Sequence, residues 1–276
     1  MIATNIRKEA RESLKGKWVK AIIMLLIDAI IIGIIAGIEN AIDDNSIIKT
    51  IITIAEIIIQ IPLAFGLICA FVKLKRNEEV KYFDFVKIGF ENFSRAWAIF
   101  FRTLLKMILP IISIIAALVL VGIMFGVGGI AGIAQGAGQQ TLAIVIVAII
   151  IYIAAIAYAV IIGLKYALTT YIAYDNQDMS AEDVVRKSEE LMIGHRGDLF
   201  VLILSFIGWA ILCYIPLGIA VYTTILLMFQ LTIILFICSV IAMLALGAYV
   251  AMARVCFYDE VLQLKSDKNN GTQELN

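Results

Sequence analysis

Long apolar stretches alternate with shorter basic and polar segments along the chain. Apolar runs of about 20 residues predict helices that cross a membrane, because a hydrocarbon core about 30 Å thick requires that length. Six such helices are predicted, at residues 18–38, 47–72, 103–125, 141–164, 198–215 and 226–253. Pro216 and Gly218 predict a turn after the fifth helix, and residues 217–253 are long enough for one helix or for a helix plus a re-entrant segment.

Three segments outside the spanning helices have apolar residues at helical spacing, interrupted by charged residues. The first segment contains Ile6, Ala10, Leu14 and Trp18. The second contains Phe83, Val86, Phe90, Phe93 and Trp97, and the third contains Val184, Ser188, Leu191 and Met192. Ser180, followed three residues later by Asp183, predicts the start of the third helix. Such stripes favour either amphipathic helices in the lipid headgroup region or ordinary helices packed on one end of the bundle.

The order of these elements predicts a threefold repeat of an amphipathic helix followed by a transmembrane hairpin. Each amphipathic segment reaches a glycine placed to cap the helix and turn the chain, namely Gly16, Gly89 and Gly194. The returning helices carry Gly and Ala four residues apart, a spacing that permits close packing in lipid. These pairs are Gly66 with Ala70, Gly163 with Ala167, and Gly247 with Ala251. The units cover residues 1–75, 76–175 and 180–262 of a single membrane domain, 1–262, and a polar tail, 263–276, follows.

The composition excludes a water-soluble globular protein. Of the 276 residues, 62% are hydrophobic and 16% charged, whereas soluble domains are roughly half apolar and about a quarter charged. The net charge of +0 gives no global field for nucleic acid, so no nucleic-acid partner is expected. The four cysteines lie in apolar helices or at a membrane edge without a CxxC pair, and we expect no disulfide framework, metal or cofactor.

Basic residues divide unequally between the two sides of the predicted bundle. One side holds 21 of the 22 lysines and arginines, and the opposite loops hold only Lys49. Positively charged loops remain in the cytoplasm, so both termini are expected there. The first apolar run follows a long basic segment without a small-residue cleavage site, and is therefore expected to stay as a membrane anchor.

The run AEDVVRKSEELMIGHR at residues 181–196, together with the stretch that continues to Trp209, resembles a known signature. It is similar to that of an uncharacterised bacterial integral-membrane family, a domain of unknown function, which is distantly similar to the membrane domain of glycerophosphoryl diester phosphodiesterases. Residues 7–18 and the closing Phe257-Tyr258 also resemble it. The resemblance implies a six-helix protein of the bacterial cytoplasmic membrane, without a known activity. A glycine-rich loop and a lengthened segment after Gly218 depart from the family pattern.

Two acidic residues, Asp28 and Glu56, lie about ten residues into predicted spanning helices, near the bilayer midplane. An ionised carboxylate at that depth costs roughly 2.5–3.5 kcal/mol, so protonation is expected. Gln60 lies one turn beyond Glu56 on the same helix face. These residues predict either a proton- or cation-binding site between the first two helices or protonated carboxyls that join helices by hydrogen bonds.

Other polar features predict interfacial rather than chemical roles. His195 and Arg196 begin the fifth helix and are expected to cap it or to contact headgroups, and Trp18 and Trp97 are expected at the same interface. The glycine-rich residues 126–138 follow a membrane helix, whereas a dinucleotide-binding loop follows a strand, so a flexible or re-entrant connector is expected. No nucleophile elbow, HExxH or Walker lysine lies in a solvated segment, and an enzyme is not expected.

Two classes of function remain. The first is a transporter or a protein that handles a hydrophobic ligand or lipid, supported by the intramembrane polar residues, the repeat, and the prolines Pro62 and Pro110 inside spanning helices. The second is a protein that shapes, senses or protects the membrane, of a stress or peptide-immunity type, without transport. An enzyme acting on lipid headgroups is supported only by the phosphodiesterase-linked resemblance. Membrane lipids are expected partners; a small solute or peptide ligand and the oligomeric state stay open.

Overall fold

The protein is built from helices throughout the part of the chain that the structure describes. The computed structural model describes residues 2–44, 46–123, 138–225 and 228–273. In chain order the helices are α1 (Ile2–Leu14), α2 (Trp18–Asn40), α3 (Ile47–Lys75), α4 (Asp84–Glu91), α5 (Phe93–Ile123), α6 (Gly138–Lys165), α7 (Thr169–Asp175), α8 (Ala181–Leu191), α9 (Arg196–Ile225) and α10 (Phe229–Gln273). Among the described residues, six helical stretches are long and apolar enough to cross a membrane. They lie in α2, α3, α5, α6, α9 and α10, so the predicted all-α, polytopic membrane fold is confirmed.

The turn predicted at Pro216 and Gly218 is wrong, because α9 continues through both residues to Ile225. A proline removes one backbone hydrogen bond, whereas a chain reversal inside hydrocarbon would leave several backbone groups without partners. The helix therefore tolerates Pro216 and ends further along the chain. Residues 217–225 accordingly form the end of α9, and residues 229–253 form the first part of α10, which continues through the polar tail to Gln273.

The second predicted amphipathic segment is divided between two helices. The backbone N–H and the side-chain amide of Asn92 both donate to the carbonyl of Ile88, 3.2 and 2.9 Å away, and end α4. Phe93 then begins α5, which runs without interruption to Ile123. Trp97 therefore belongs to the first turns of a spanning helix rather than to a separate amphipathic helix.

The apolar stripes of α1 and α8 face the protein core. Ile6, Ala10 and Leu14 of α1 are at most 2% exposed, and Val184 and Ser188 of α8 are fully buried. The predicted start of α8 is confirmed, since the Ser180 hydroxyl accepts a hydrogen bond from the Asp183 backbone N–H at 3.2 Å. These stripes thus pack on one end of the bundle, and contact of the outer helix faces with headgroups stays a prediction.

The core lies mainly at one end of the bundle, here called the packed end. It is formed by α1, α4, α7 and α8, by residues 62–75 of α3 and 248–261 of α10, and by buried side chains from the first turns of α2, α5 and α9. Half of the residues in the most apolar stretch of α3 are buried, whereas only 11% of those in the corresponding stretch of α2 are. Helix α3 is therefore the central helix. Towards the opposite end the helices expose isoleucine and leucine side chains, as expected of surfaces in contact with lipid.

The three glycine pairs of the predicted repeat are not equivalent. The backbone of α3 at Gly66 touches the backbone of α4, whereas a Cβ at Gly163 or Gly247 would meet only a side-chain methyl group, 3.7 or 3.4 Å away. The paired alanines differ as well: Ala70 is buried, Ala251 is half-buried, and Ala167 is exposed beyond the end of α6. The prediction of equivalent contacts is therefore wrong, because only Gly66 lies where two helix backbones cross.

A succession of one short and two long helices still occurs three times, as α1–α2–α3, α4–α5–α6 and α8–α9–α10. Gly16 and Gly194 adopt positive φ values of 78° and 87° in the turns after α1 and α8, as their predicted role requires. Gly89 instead lies within α4, so its predicted capping role is wrong. The repeat itself stays a prediction. Of the glycine-rich connector, only Gly138, the first residue of α6, lies within the described residues.

Candidate functional site

Asp28 lies on the face of α2 that packs into the protein. Met24 and Ala21, one and two turns before it, are fully buried. Its Oδ1 atom is shielded from solvent and has no hydrogen-bond partner among the described residues. An intramembrane carboxyl of this kind is a candidate functional group, because membrane proteins rarely retain one on structural grounds alone.

Glu56 and Gln60 do not complete a hydrogen-bonded site with Asp28 in the described part of the chain. Glu56 is half-buried on α3, and Gln60, one turn closer to the packed end, is exposed. Gln60 instead borders a cavity of about 370 Å³ between α3, α5 and α7, called here the α3–α5–α7 cavity. The predicted polar residues are therefore divided between a shielded carboxyl on α2, a half-buried carboxyl on α3, and an amide that borders a cavity between α3, α5 and α7.

The α3–α5–α7 cavity has a mainly apolar wall with a few polar groups. Phe65, Ile99 and Phe100 supply apolar surface, and Gln60, Thr103, Thr169 and Thr170 supply an amide and three hydroxyls. The Thr103 hydroxyl is buried and has no protein partner in the described ranges, whereas that of Thr169 donates to the Tyr166 carbonyl at 3.0 Å. An apolar wall with few polar groups is typical of a site for a small amphiphile.

The predicted interfacial residues occupy three different surroundings. Trp18 packs against Tyr249 of α10, with 6.2 Å between ring centroids. The Nδ1 atom of His195 lies 3.6 Å from the carboxylate of Asp198 in the first turn of α9. Arg196 borders an apolar cavity of about 500 Å³ between α6 and α9. These residues therefore lie near different helix pairs and do not form one site.

Trp97 belongs to a cluster of aromatic side chains on α4 and α5, called here the aromatic ridge. Its ring centroid lies 5.0 Å from that of Phe101 and 5.6 Å from that of Phe100. Phe93 connects this group to Phe90, with 6.4 Å between their centroids. Phe101 is 53% exposed, so the ridge forms part of the outer surface.

An ionic network that the sequence analysis missed connects four helices at the packed end. Arg76, directly after α3, donates to both carboxylate oxygens of Asp175 on α7, at 2.6 and 2.8 Å. The Tyr258 hydroxyl of α10 donates to the same carboxylate at 2.8 Å, and Lys75 lies 2.7 Å from both Glu9 and Asp259. The hydrogen bonds to Asp175 raise the pKa of the Arg76 guanidinium above its ordinary value, although burial opposes this.

Arg95 of α5 makes a second connection that the sequence did not predict. Its guanidinium donates to four backbone carbonyls, those of Ala173, Asn176, Gln177 and Met179, at 2.6–3.1 Å. These carbonyls lie at the end of α7 and in the turn before α8, where a helix leaves backbone acceptors without partners. One side chain therefore attaches α5 to the α7–α8 connection.

The described residues contain no group of three or more His, Cys, Asp and Glu side chains that could hold a metal ion. Cys69 and Cys256 are buried in the core, Cys213 is half-buried and Cys238 is exposed, and all four are free thiols. The polar chemistry of the described structure therefore lies in its cavities, in Asp28 and in the network at the packed end.

These features define the class of the protein, which is a multi-pass α-helical membrane protein with cavities between its helices. Its family follows from residues 1–265, which match the family model described as protein of unknown function (DUF975). The chain belongs to that family, so the predicted membership of an uncharacterised membrane-protein family is confirmed. Comparison with curated proteins and with solved structures found no match.

Proposed function

We propose that the protein is a non-enzymatic transporter of a hydrophobic or lipid-like ligand in the bacterial cytoplasmic membrane. The observation that carries this proposal is the α3–α5–α7 cavity. Its apolar side chains would contact the hydrocarbon part of a ligand, and Gln60 and the unpartnered Thr103 hydroxyl would hydrogen-bond to a small polar group. Because the cavity offers both an apolar wall and polar groups, it favours an amphiphile over an ion.

Asp28 supplies the protonatable group of the proposed transporter. Its shielded and unpartnered Oδ1 supports a carboxyl that takes up a proton when the surrounding helices separate and returns it when they close. Glu56, half-buried on the adjacent α3, is the second carboxyl of the proposed pair. In this proposal the proton gradient across the membrane drives movement of the ligand.

The same proposal places the packed end and both termini in the cytoplasm. The packed end carries nearly all the basic residues, and the positive-inside rule assigns that side to the cytoplasm. As part of this proposal, the family whose signature residues 181–209 resemble would be distantly similar to the membrane domain of glycerophosphoryl diester phosphodiesterases. That similarity supports a lipid-related compound as the class of ligand.

Flux measurements in proteoliposomes test the proposed function. The wild-type chain is expected to move at least one member of a panel of labelled amphiphiles when a pH gradient is imposed. Gln60→Leu combined with Thr103→Val removes two polar groups with little change of volume, and should abolish that flux. Ser113→Ala is the matched control, because it removes a hydroxyl of α5 whose one hydrogen bond within the described ranges is to the Pro110 carbonyl. Absence of flux in the wild type across the panel would overturn the proposal.

The aromatic ridge favours a second candidate function, a protein that shapes or senses the membrane without transport. Exposed aromatic side chains near basic residues are typical of membrane interfaces. Changing Phe90 and Phe101 to Ser should then reduce any remodelling or leakage of vesicles caused by the wild-type chain. Transport with unchanged vesicle shape would contradict this candidate.

A further inference from the structure

A second cavity, of about 450 Å³, lies between α1, α9 and α10. Arg7 and Arg11 of α1 border it, together with the aromatic rings of Trp18, Trp209 and Tyr249. We call it the arginine cavity. The Tyr249 hydroxyl donates to the Arg7 backbone carbonyl at 3.0 Å and attaches α1 to α10 at this point.

The two guanidinium groups of the arginine cavity lack acidic partners. Within the described residues no carboxylate lies within ion-pair distance of Arg7 or Arg11, whereas Arg76 and Lys75 at the packed end are paired with aspartates. The Nε–H of Arg7 is also shielded from solvent and has no acceptor in the described part of the chain. The cavity is therefore bordered by two positive charges without acidic partners among the described residues.

The position of the cavity along α10 makes these charges significant. Its wall includes Ala242 and Ala245, which lie within the candidate span Phe229–Asp267 and about two to three turns before residue 253, where the sequence predicts the span to end. Charged groups near the hydrocarbon are costly unless they are paired, so two guanidinium groups without acidic partners among the described residues favour an anionic ligand. Trp209 on α9 is 56% exposed, so the side of the cavity that it borders faces the lipid.

We propose that the arginine cavity binds an anionic phospholipid. Arg7 and Arg11 would hold the phosphate oxygens, because the planar guanidinium forms paired hydrogen bonds with phosphate. The acyl chains would lie along Trp209 and Ala245, and the aromatic rings would occupy the boundary between headgroup and hydrocarbon. A soluble phosphate compound would leave this apolar wall unfilled, so the lipid fits the cavity better. This site is separate from the α3–α5–α7 cavity and does not rest on the proposed function.

Quenching of tryptophan fluorescence by brominated lipid tests this inference. The full chain with Trp97→Phe keeps Trp18 and Trp209, both of which border the cavity. It is reconstituted in phosphatidylcholine vesicles that contain increasing fractions of phosphatidylglycerol with brominated acyl chains. Quenching should saturate at a much lower mole fraction than when the bromines are carried by phosphatidylcholine. Equal quenching by the two lipids would overturn the inference.

Matched double variants separate the cavity from general surface charge. Arg7→Gln with Arg11→Gln should raise the half-saturating fraction of phosphatidylglycerol by roughly tenfold, because two charge-assisted hydrogen bonds are lost. Lys8→Gln with Lys15→Gln removes the same charge from two exposed positions, one on α1 and one in the turn after it, and should change that fraction by about twofold or less. An equal effect of the two double variants would overturn the inference. Circular dichroism and melting temperature verify that each variant is folded. If the Gln double variant is not folded, Arg7→Lys with Arg11→Lys provides a second test. That variant is expected to keep part of the preference for phosphatidylglycerol.

Soluble competitors distinguish the lipid from a free phosphate compound. Inorganic phosphate and glycerol 3-phosphate at millimolar concentration should leave the quenching unchanged. Release of the quenching by either compound would assign the cavity to a soluble phosphate and overturn the lipid assignment. Failure of the flux experiment with an intact phosphatidylglycerol preference would overturn only the proposed transport function.

Discussion

Gly66 and Gly89 meet backbone to backbone where α3 crosses α4. A Cβ built on Gly66 would lie 2.7 Å from the Gly89 nitrogen, and one built on Gly89 would lie 2.8 Å from the Pro62 carbonyl carbon. Neither distance leaves room for a methyl group, and neither neighbour is a side chain that could rotate away. This crossing joins the central helix of the bundle to the short helix that precedes α5.

Gly66→Ala and Gly89→Ala should each destabilise the protein by about 1–3 kcal/mol, because the two helices would have to separate. Thermal or denaturant unfolding of the purified protein in detergent measures the effect. Gly163→Ala is the matched control, since its Cβ would make an ordinary contact with Met107 at 3.7 Å. An equal loss of stability in the control would contradict the assignment of the close crossing to Gly66.

Arg76→Lys should lower the free energy of unfolding by about 1–2 kcal/mol, because lysine keeps the charge but cannot bond both oxygens of Asp175. Tyr258→Phe should cost about 1 kcal/mol by removing a donor from the same carboxylate. The control is Arg186→Lys, whose exposed pair with Asp183 lies on the surface of α8 and should contribute about 0.5 kcal/mol or less. Similar unfolding curves for Arg76→Lys and Arg186→Lys would show that the network does not stabilise the packed end.

Asp28→Asn and Glu56→Gln should leave the protein folded, with a stability change of about 1 kcal/mol or less, because the amides keep the size and hydrogen-bonding ability of the carboxyls. If the carboxyls carry the proton, both variants should lose pH-dependent flux, since an amide cannot take up or release it. Glu39→Gln serves as the control, because Glu39 accepts a hydrogen bond from Thr53 at the opposite end of the bundle. Full pH-dependent flux in Asp28→Asn would remove this residue from the proposed mechanism.

Peptide tags placed in the connections should report the orientation of the chain. Tags after Asp44 and after Ile225 should be accessible to antibody in intact cells, whereas tags after Glu79 and Asp178 should need permeabilisation. Because α9 continues through residue 217, a tag there would interrupt a spanning helix, and the connection after Ile225 is the appropriate site. External exposure of the Glu79 tag would reverse the proposed topology.

The spanning helices could be predicted from sequence because each depends on a local property, a continuous apolar run of sufficient length. The predictions were wrong at positions where contacts with other helices or with lipid determine the local structure. At Pro216 the local signal for a turn was outweighed by the cost of unpaired backbone groups in lipid, and at Gly89 a capping signal was in fact a contact with another helix. Neither outcome is encoded in the residues that surround these positions in the chain.

The candidate sites were predictable only in part for the same reason. Asp28 was identified because a single acidic residue in an apolar run is conspicuous by itself. The partners Arg76 and Asp175 are 99 positions apart, and only the folded chain brings them together. The arginine cavity likewise combines α1 with two helices from the other end of the sequence. The basic residues of α1 gave only a topology signal in the sequence, and the lack of acidic partners for Arg7 and Arg11 among the described residues became apparent only in the fold.

The four carbonyls held by Arg95 have a consequence for how the bundle can move. Because one guanidinium satisfies acceptors at the end of α7 and before α8, sliding α5 away would leave all four without that donor at once. We expect α5 and the α7–α8 connection to behave as one rigid body, including the wall of the α3–α5–α7 cavity that they form. In the proposed transporter, we therefore expect the α3–α5–α7 cavity to open along the boundary between this body and α3.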